Sequence, residues 1–166
     1  MTGDVAVGRR LIGATPLDCY TCVRMRGKMD TVAKNWGAAA AWFALAVRNA
    51  PSIPMAYADW GAMLLAKGDD AGAIAKFRAA GEKGPHFADP LEMWGETLMA
   101  ENRSDLALAK FAAAERDAPN WGRLHVKWGD ALSYLGRRND ARVQYAIASR
   151  LAPTPGERAR PGNIER

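Results

Sequence analysis

Cysteine is nearly missing from this chain: Cys19 and Cys22 are the only two among its 166 residues. That excludes a small scaffold held together by several disulfide bridges. Long apolar runs are missing too, and none comes near the ~20 residues that a membrane-spanning helix needs. Leu11-Ile12-Gly13, after Arg9 and Arg10, is too short for the core of a signal peptide. The expectation is a cytoplasmic protein with no membrane partner. Histidine is as scarce, and His86 and His125 stand far apart. Neither has the neighbouring group that a general base or a metal site requires. No Gly-rich phosphate loop, His-x-x-x-His pair, Ser-centred elbow or Asp-x-Asp calcium loop is present. The reading is therefore a chain that is not an enzyme and needs no cofactor.

β-branched residues are sparse while Ala, Leu, Lys, Arg, Glu and Met are abundant, a balance that favours helix. The formal charge of +5 is unevenly spread. Residues 1–54 and 120–166 are net basic, and residues 55–119 are net acidic. A nucleic-acid partner calls for one continuous basic face, so this distribution argues against it.

What is there is internal repetition. Trp60-Gly61, Trp94-Gly95 and Trp128-Gly129 recur at one constant interval, a period of about 34 residues. The same step relates Leu64, Leu98 and Leu132; Ala73, Ala107 and Ala141; Ala80, Ala114 and Ala148; and Pro85, Pro119 and Pro153. It also relates the rings Phe77, Phe111 and Tyr145. Within one copy, Tyr57, Trp60, Gly61, Leu64 and Leu65 fall on one helical face. A break follows at Gly68-Asp69-Asp70, where glycine suits a helix end and aspartate can cap the next helix. Ala73, Ile74, Phe77 and Ala80 then mark a second helix, closed near Pro85. One period upstream, Gly27, Ala39, Phe43, Ala46 and Pro51 keep the register, but Arg26 and Asp30 stand in the Trp and Leu columns. That copy is degenerate, and its first helix is expected from about Cys19 to Ala33. Arg26 and Asp30 are expected to solvate an exposed end.

These columns resemble the tetratricopeptide repeat, whose pattern is an aromatic, Leu-Gly, Tyr, then Ala and Phe, then Pro over the same period. Trp in place of the usual leucine is the consistent departure, read as a larger core filler. The resemblance implies an all-α, right-handed α-solenoid of about four helix–turn–helix units. They fall at about 20–53, 54–87, 88–121 and 122–155, between an arm over 1–18, expected to be flexible, and a basic tail over 156–166. It also implies a scaffold that binds a peptide or helix of a protein partner in a groove lined by the first helix of each repeat. Carried over position by position, the groove rows are Thr21, Arg24, Lys28 and Thr31; Met55, Ala58, Ala62 and Leu65; Asp89, Glu92, Glu96 and Met99; and Arg123, Val126, Asp130 and Ser133. Glu92 and Glu96 lie one turn apart, with Asp89 a turn earlier, an unfavourable cluster unless a partner's basic side chain answers it. The family's clamp for chaperone tails needs asparagine where this chain has Lys28, Asp59, Ala62 or Met93, so that subclass is set aside. The alternative function is self-assembly into homo-oligomers, basic ends meeting the acidic middle, helped by a last helix whose Val143, Ala146 and Ile147 side lacks a cover.

The pair Cys19-x-x-Cys22 is a weak motif. No other cysteine or nearby histidine completes a zinc site, and no βαβ pattern surrounds it. The register makes the two residues small apolar side chains sharing one face of the first helix. No metal ligand is assigned, and Cys19 and Cys22 are the sole candidates.

Overall fold

In the computed structural model the described residues are Val7, Arg10 and residues 12–151. The tail at 156–166 and much of the arm lie outside them. The chain divides into two compact units, Met1–Pro85 and His86–Arg166. The first holds α1 (Tyr20–Val32), α2 (Trp36–Asn49), α3 (Pro54–Lys67) and α4 (Asp70–Lys83). The second holds α5 (Ala88–Ala100), α6 (Ser104–Asp117), α7 (Gly122–Tyr134) and α8 (Arg138–Leu151). No strand occurs among the described residues. Consecutive helices pack as pairs: α1 on α2 and α3 on α4 in one unit, α5 on α6 and α7 on α8 in the other. The pairs then stack within each unit, through α2 on α3 and α6 on α7. The all-α architecture of four helix–turn–helix pairs is the one expected.

The turn inside each pair repeats with the same period. Lys34, Gly68, Asn102 and Gly136 all have positive φ, between 58° and 88°. After each, a backbone N–H reaches back into the last turn of the helix: Asn35 to Asp30 O, Asp69 to Leu64 O, Arg103 to Leu98 O and Arg137 to Leu132 O, at 2.8–2.9 Å. That bond satisfies a carbonyl the helix end would leave bare. Glycine adopts such a φ freely, while Lys34 and Asn102 adopt it against a steric cost. At Gly68 the next residue does double service, since the Asp69 carboxylate accepts from Gly72 N at 2.9 Å and caps α4.

The small-residue columns form the core. Ala39, Ala73, Ala107 and Ala141 are fully buried, as are Ala46, Ala80, Ala114 and Ala148. Beside them Phe43, Phe77, Phe111 and Tyr145 project from the second helix of each pair onto the glycine of the first. The Trp column is only half buried. Trp60 and Trp128 pack against the core clusters, but Lys76 Nζ lies 3.5 Å from the Trp60 ring centroid and Lys110 Nζ 3.7 Å from that of Trp94. Burial pushes the Lys76 ammonium below its ordinary pKa, and the ring face beneath it offers an electrostatic partner in return.

The degenerate repeat corrects one expectation. Arg26 is buried, not solvated. Its guanidinium donates to the carbonyls of Ile12, Gly13 and Thr15 at 2.6–3.2 Å and stacks 4.9 Å from the centroid of Trp42. Asp30 accepts from Trp42 Nε1 at 3.0 Å. Positions 26 and 42 are one period before Trp60 and Lys76, so the cation–ring pair is kept with its members exchanged between the helices. The reason for burial is the segment Ile12–Thr15, whose carbonyls Arg26 satisfies. Arg26→Ala is expected to remove those bonds, cost about 1–2 kcal/mol and speed amide exchange over Ile12–Thr15. Unchanged exchange there would show that the arginine does not hold the segment.

Candidate functional site

The first helices α1, α3, α5 and α7 carry the expected groove positions, and the structure treats them unequally. In the first unit, Thr21, Lys28 and Met55 are exposed, Arg24, Thr31, Ala62 and Leu65 are half buried, and Ala58 is buried. Arg24 Nε meets Asp59 Oδ2 at 2.8 Å, Lys28 Nζ meets Asp59 Oδ1 at 3.7 Å, and Arg24 Nη1 donates to Met55 Sδ at 3.2 Å. The basic row of α1 is thus answered by Asp59 on α3.

In the second unit, Asp89 and Asp130 are exposed, Glu96, Met99 and Ser133 are half buried, and Val126 is buried. Glu92, expected to face a partner, has no exposed surface. Arg123 closes over it, with Nε and Nη2 donating to Oε1 and Oε2 at 3.2 Å each. Loss of hydration, reinforced by Glu96, pushes the Glu92 carboxyl up to about 7 against the pull of Arg123 and Lys127. Glu96 itself is paired with Lys127. The acidic cluster is therefore answered largely from within, because each glutamate of α5 finds a cation one repeat on. In sequence both pairs are separated by slightly less than one period, which places the partners side by side on neighbouring helices.

A cleft of about 510 Å³ opens beside α5 and α7. Phe111, Met99, Ala100 and Ala131 give it an apolar lining, and Glu96, Lys127, Asp130 and Asn102 a polar one. Tyr134 stands at its edge, 71% exposed, with its hydroxyl 3.5 Å from Asn102 Oδ1. Asp130 accepts from the Tyr145 hydroxyl at 2.9 Å, a bond open to Tyr145 and closed to the phenylalanines of the other repeats. Of the expected residues, Glu96, Met99 and Asp130 meet here. Lys127, Asn102 and Tyr134 join them without a signal in the repeat pattern.

Each histidine has a polar partner within its own unit. Buried His125 has Nε2 3.0 Å from Pro119 O and Nδ1 2.8 Å from Gln144 Oε1. The first of these repeats a contact of the second copy, where Tyr57 OH donates to Pro51 O. Exposed His86 sits 3.1 Å from Asp117 Oδ1. No cluster of three or more potential metal ligands occurs among the described residues.

The cysteine expectation is corrected. Cys19 and Cys22 are joined in a disulfide, with their Cα atoms 5.2 Å apart. α1 begins at Tyr20, so Cys19 is its N-cap and not a helical residue, and Sγ accepts from Cys22 N at 3.3 Å. Both residues are half buried rather than core.

No family model matches the chain, and no curated protein matches it. Solved structures do. It is similar to TTC0263, a thermophilic TPR protein of Thermus thermophilus, with 21% identity over 84% of this chain and 77% of that one, at a TM-score of 0.73. It is similar to MamA, with 17% identity over 90% of this chain and 87% of that one, at a TM-score of 0.68. It is also similar to YrrB, described as a TPR protein with an unusual peptide-binding site, with 20% identity over 86% of this chain and 73% of that one, at a TM-score of 0.65. The chain has the tetratricopeptide-repeat fold.

Proposed function

We propose that this chain, built on the tetratricopeptide-repeat fold, is a non-catalytic adaptor that binds an extended peptide or a helix of a partner protein. The binding surface we assign is the first-helix face of its repeats, with the cleft beside α5 and α7 as its best-formed part. One observation carries the reading: an exposed tyrosine and an apolar floor sit among paired charges in a single cleft. Such a mixture suits a peptide, since the apolar floor takes a side chain and the polar rim takes backbone and charge. The fold likeness to YrrB supports the same class of ligand.

The acidic cluster enters in reduced form. Glu92 is already engaged by Arg123, so the residues that answer a partner's cation are Asp130, Asp89 and the Glu96 of the Glu96–Lys127 pair. In a peptide selected from a display library against the full chain, Tyr134→Ala is expected to weaken binding about tenfold with the melting temperature unchanged. Equal affinity of wild type and of both Tyr134→Ala and Asp130→Ala would remove the cleft from consideration.

Self-assembly has one observation in its favour. Val143 is 57% exposed on α8, beside a second cleft lined by Leu108, Ala112, Trp128 and Leu132. Light scattering at low and high salt separates this reading from the first, and a monomer at both would end it.

A further inference from the structure

We propose that the Cys19–Cys22 disulfide is a reversible thiol–disulfide exchange site for low-molecular-weight thiols, with Cys19 as the sulfur that is attacked. The other three repeats show what this turn needs for folding. The counterparts of Cys19 are Ile53, Phe87 and Trp121, each the N-cap of its helix and none making a side-chain cap bond. The counterparts of Cys22 are Ala56, Pro90 and Leu124, all buried. The fold closes the same turn three times without sulfur, so the bond is not required there for packing.

Nor does it tie distant parts of the chain. It joins residues three apart in sequence, and the shortest loops gain the least from closure. What the position does offer is chemistry. Cys22 N–H points at Sγ of Cys19 at 3.3 Å, at the positive end of a helix with no acidic residue in its first turn. In the reduced chain a thiolate on Cys19 would keep that N–H and that field, which favour it as the nucleophile toward a small disulfide, and the reverse of that step is attack of a small thiolate on Cys19. Both cysteines are half buried, flanked by exposed Leu17, Asp18 and Thr21, so a small thiol can reach them.

The exchange balances as follows. An incoming thiolate attacks Sγ of Cys19, the Cys19–Cys22 bond breaks, and Cys22 leaves as a thiolate that takes a proton from water. A second thiolate attacks the incoming sulfur of the mixed disulfide and releases Cys19, held by the Cys22 N–H. Two small thiols are oxidised to their disulfide as the protein is reduced, and the same steps run backwards restore the bond.

The test is equilibration of the full chain in glutathione buffers of graded ratio, followed by alkylation and mass measurement. The expected result is one reversible transition, the same from the reduced and oxidised sides, with helix content and melting temperature unchanged. In addition, Cys22→Ser should form a mixed disulfide on Cys19 with oxidised glutathione, releasing one reduced glutathione, about tenfold faster at neutral pH than Cys19→Ser forms it on Cys22. A bond that resists every ratio, loss of helix content on reduction, or equal adduct rates would each overturn the proposal. The wild-type titration decides even if a variant fails to fold.

Discussion

Phe77→Ala is expected to lower the stability of the first unit by about 3–5 kcal/mol, read as a fall in the urea midpoint. The ring is almost wholly buried, and it lies against the one place on α3 where no Cβ exists. A Cβ built on Gly61 would stand 2.5 Å from Phe77 Cε1 and 2.6 Å from Cδ1. Those atoms belong to a rigid ring wedged between two helices and cannot swing aside. Gly61→Ala is therefore expected to cost about 1–3 kcal/mol by overpacking, despite the better helix propensity of alanine. The two effects must be coupled. In a Phe77→Leu background the smaller, jointed side chain leaves room, and the penalty of Gly61→Ala should shrink by about 1 kcal/mol or more. Strict additivity would show that the ring and the glycine do not set each other's place. The same contact recurs at Gly27 with Phe43, Gly95 with Phe111 and Gly129 with Tyr145, at 2.6–2.7 Å, so the result should carry to every copy.

That contact explains why so much of the fold can be read from residue types alone. Close helix crossing demands a missing Cβ on one side and a flat ring on the other, and those demands write themselves as columns one period apart. The turns are half visible for the same reason. Gly68 and Gly136 advertise a left-handed residue, whereas Lys34 and Asn102 fill the same slot without a compositional sign. Arg26 escapes a reading by columns, because a column is expected to keep one residue type. The physical requirement is a cation on a ring, and exchange of the two between helices meets it equally well. The site is hidden by a similar one-helix view. Glu92, Glu96 and Asp89 look like an uncompensated cluster along α5, but Arg123 and Lys127 stand one repeat away on α7. Only neighbouring helices side by side bring them together. Tyr134 lies outside the repeat's motif columns, so nothing in the pattern singles it out.

The second unit is expected to lose stability as pH rises toward neutrality, with Glu92 as the cause. Its folded pKa of about 7 lies above the ordinary 4.5. Below the lower value both folded and unfolded chains hold the proton, and between the two only the folded chain does. Stability is therefore full at low pH and falls as pH climbs from about 4.5 to about 7, by roughly 3 kcal/mol in total. Glu92→Gln holds no titrating proton, so the difference between wild type and this variant should vary with pH over that window and flatten above it. Arg123→Ala sharpens the case. Near pH 8 it leaves a buried carboxylate without its bidentate partner, and the carboxylate escapes that only by taking up a proton. Near pH 4.5 the folded-state carboxyl is already protonated, so with a folded pKa of about 7 the same substitution should cost about 1 kcal/mol less there than near pH 8. The half-exposed arginine is already partly hydrated, which is why the penalty belongs to the glutamate and follows its proton. Urea melts of Arg123→Ala at the two pH values decide it, and equal losses at both would mean that Glu92 does not change its proton between them.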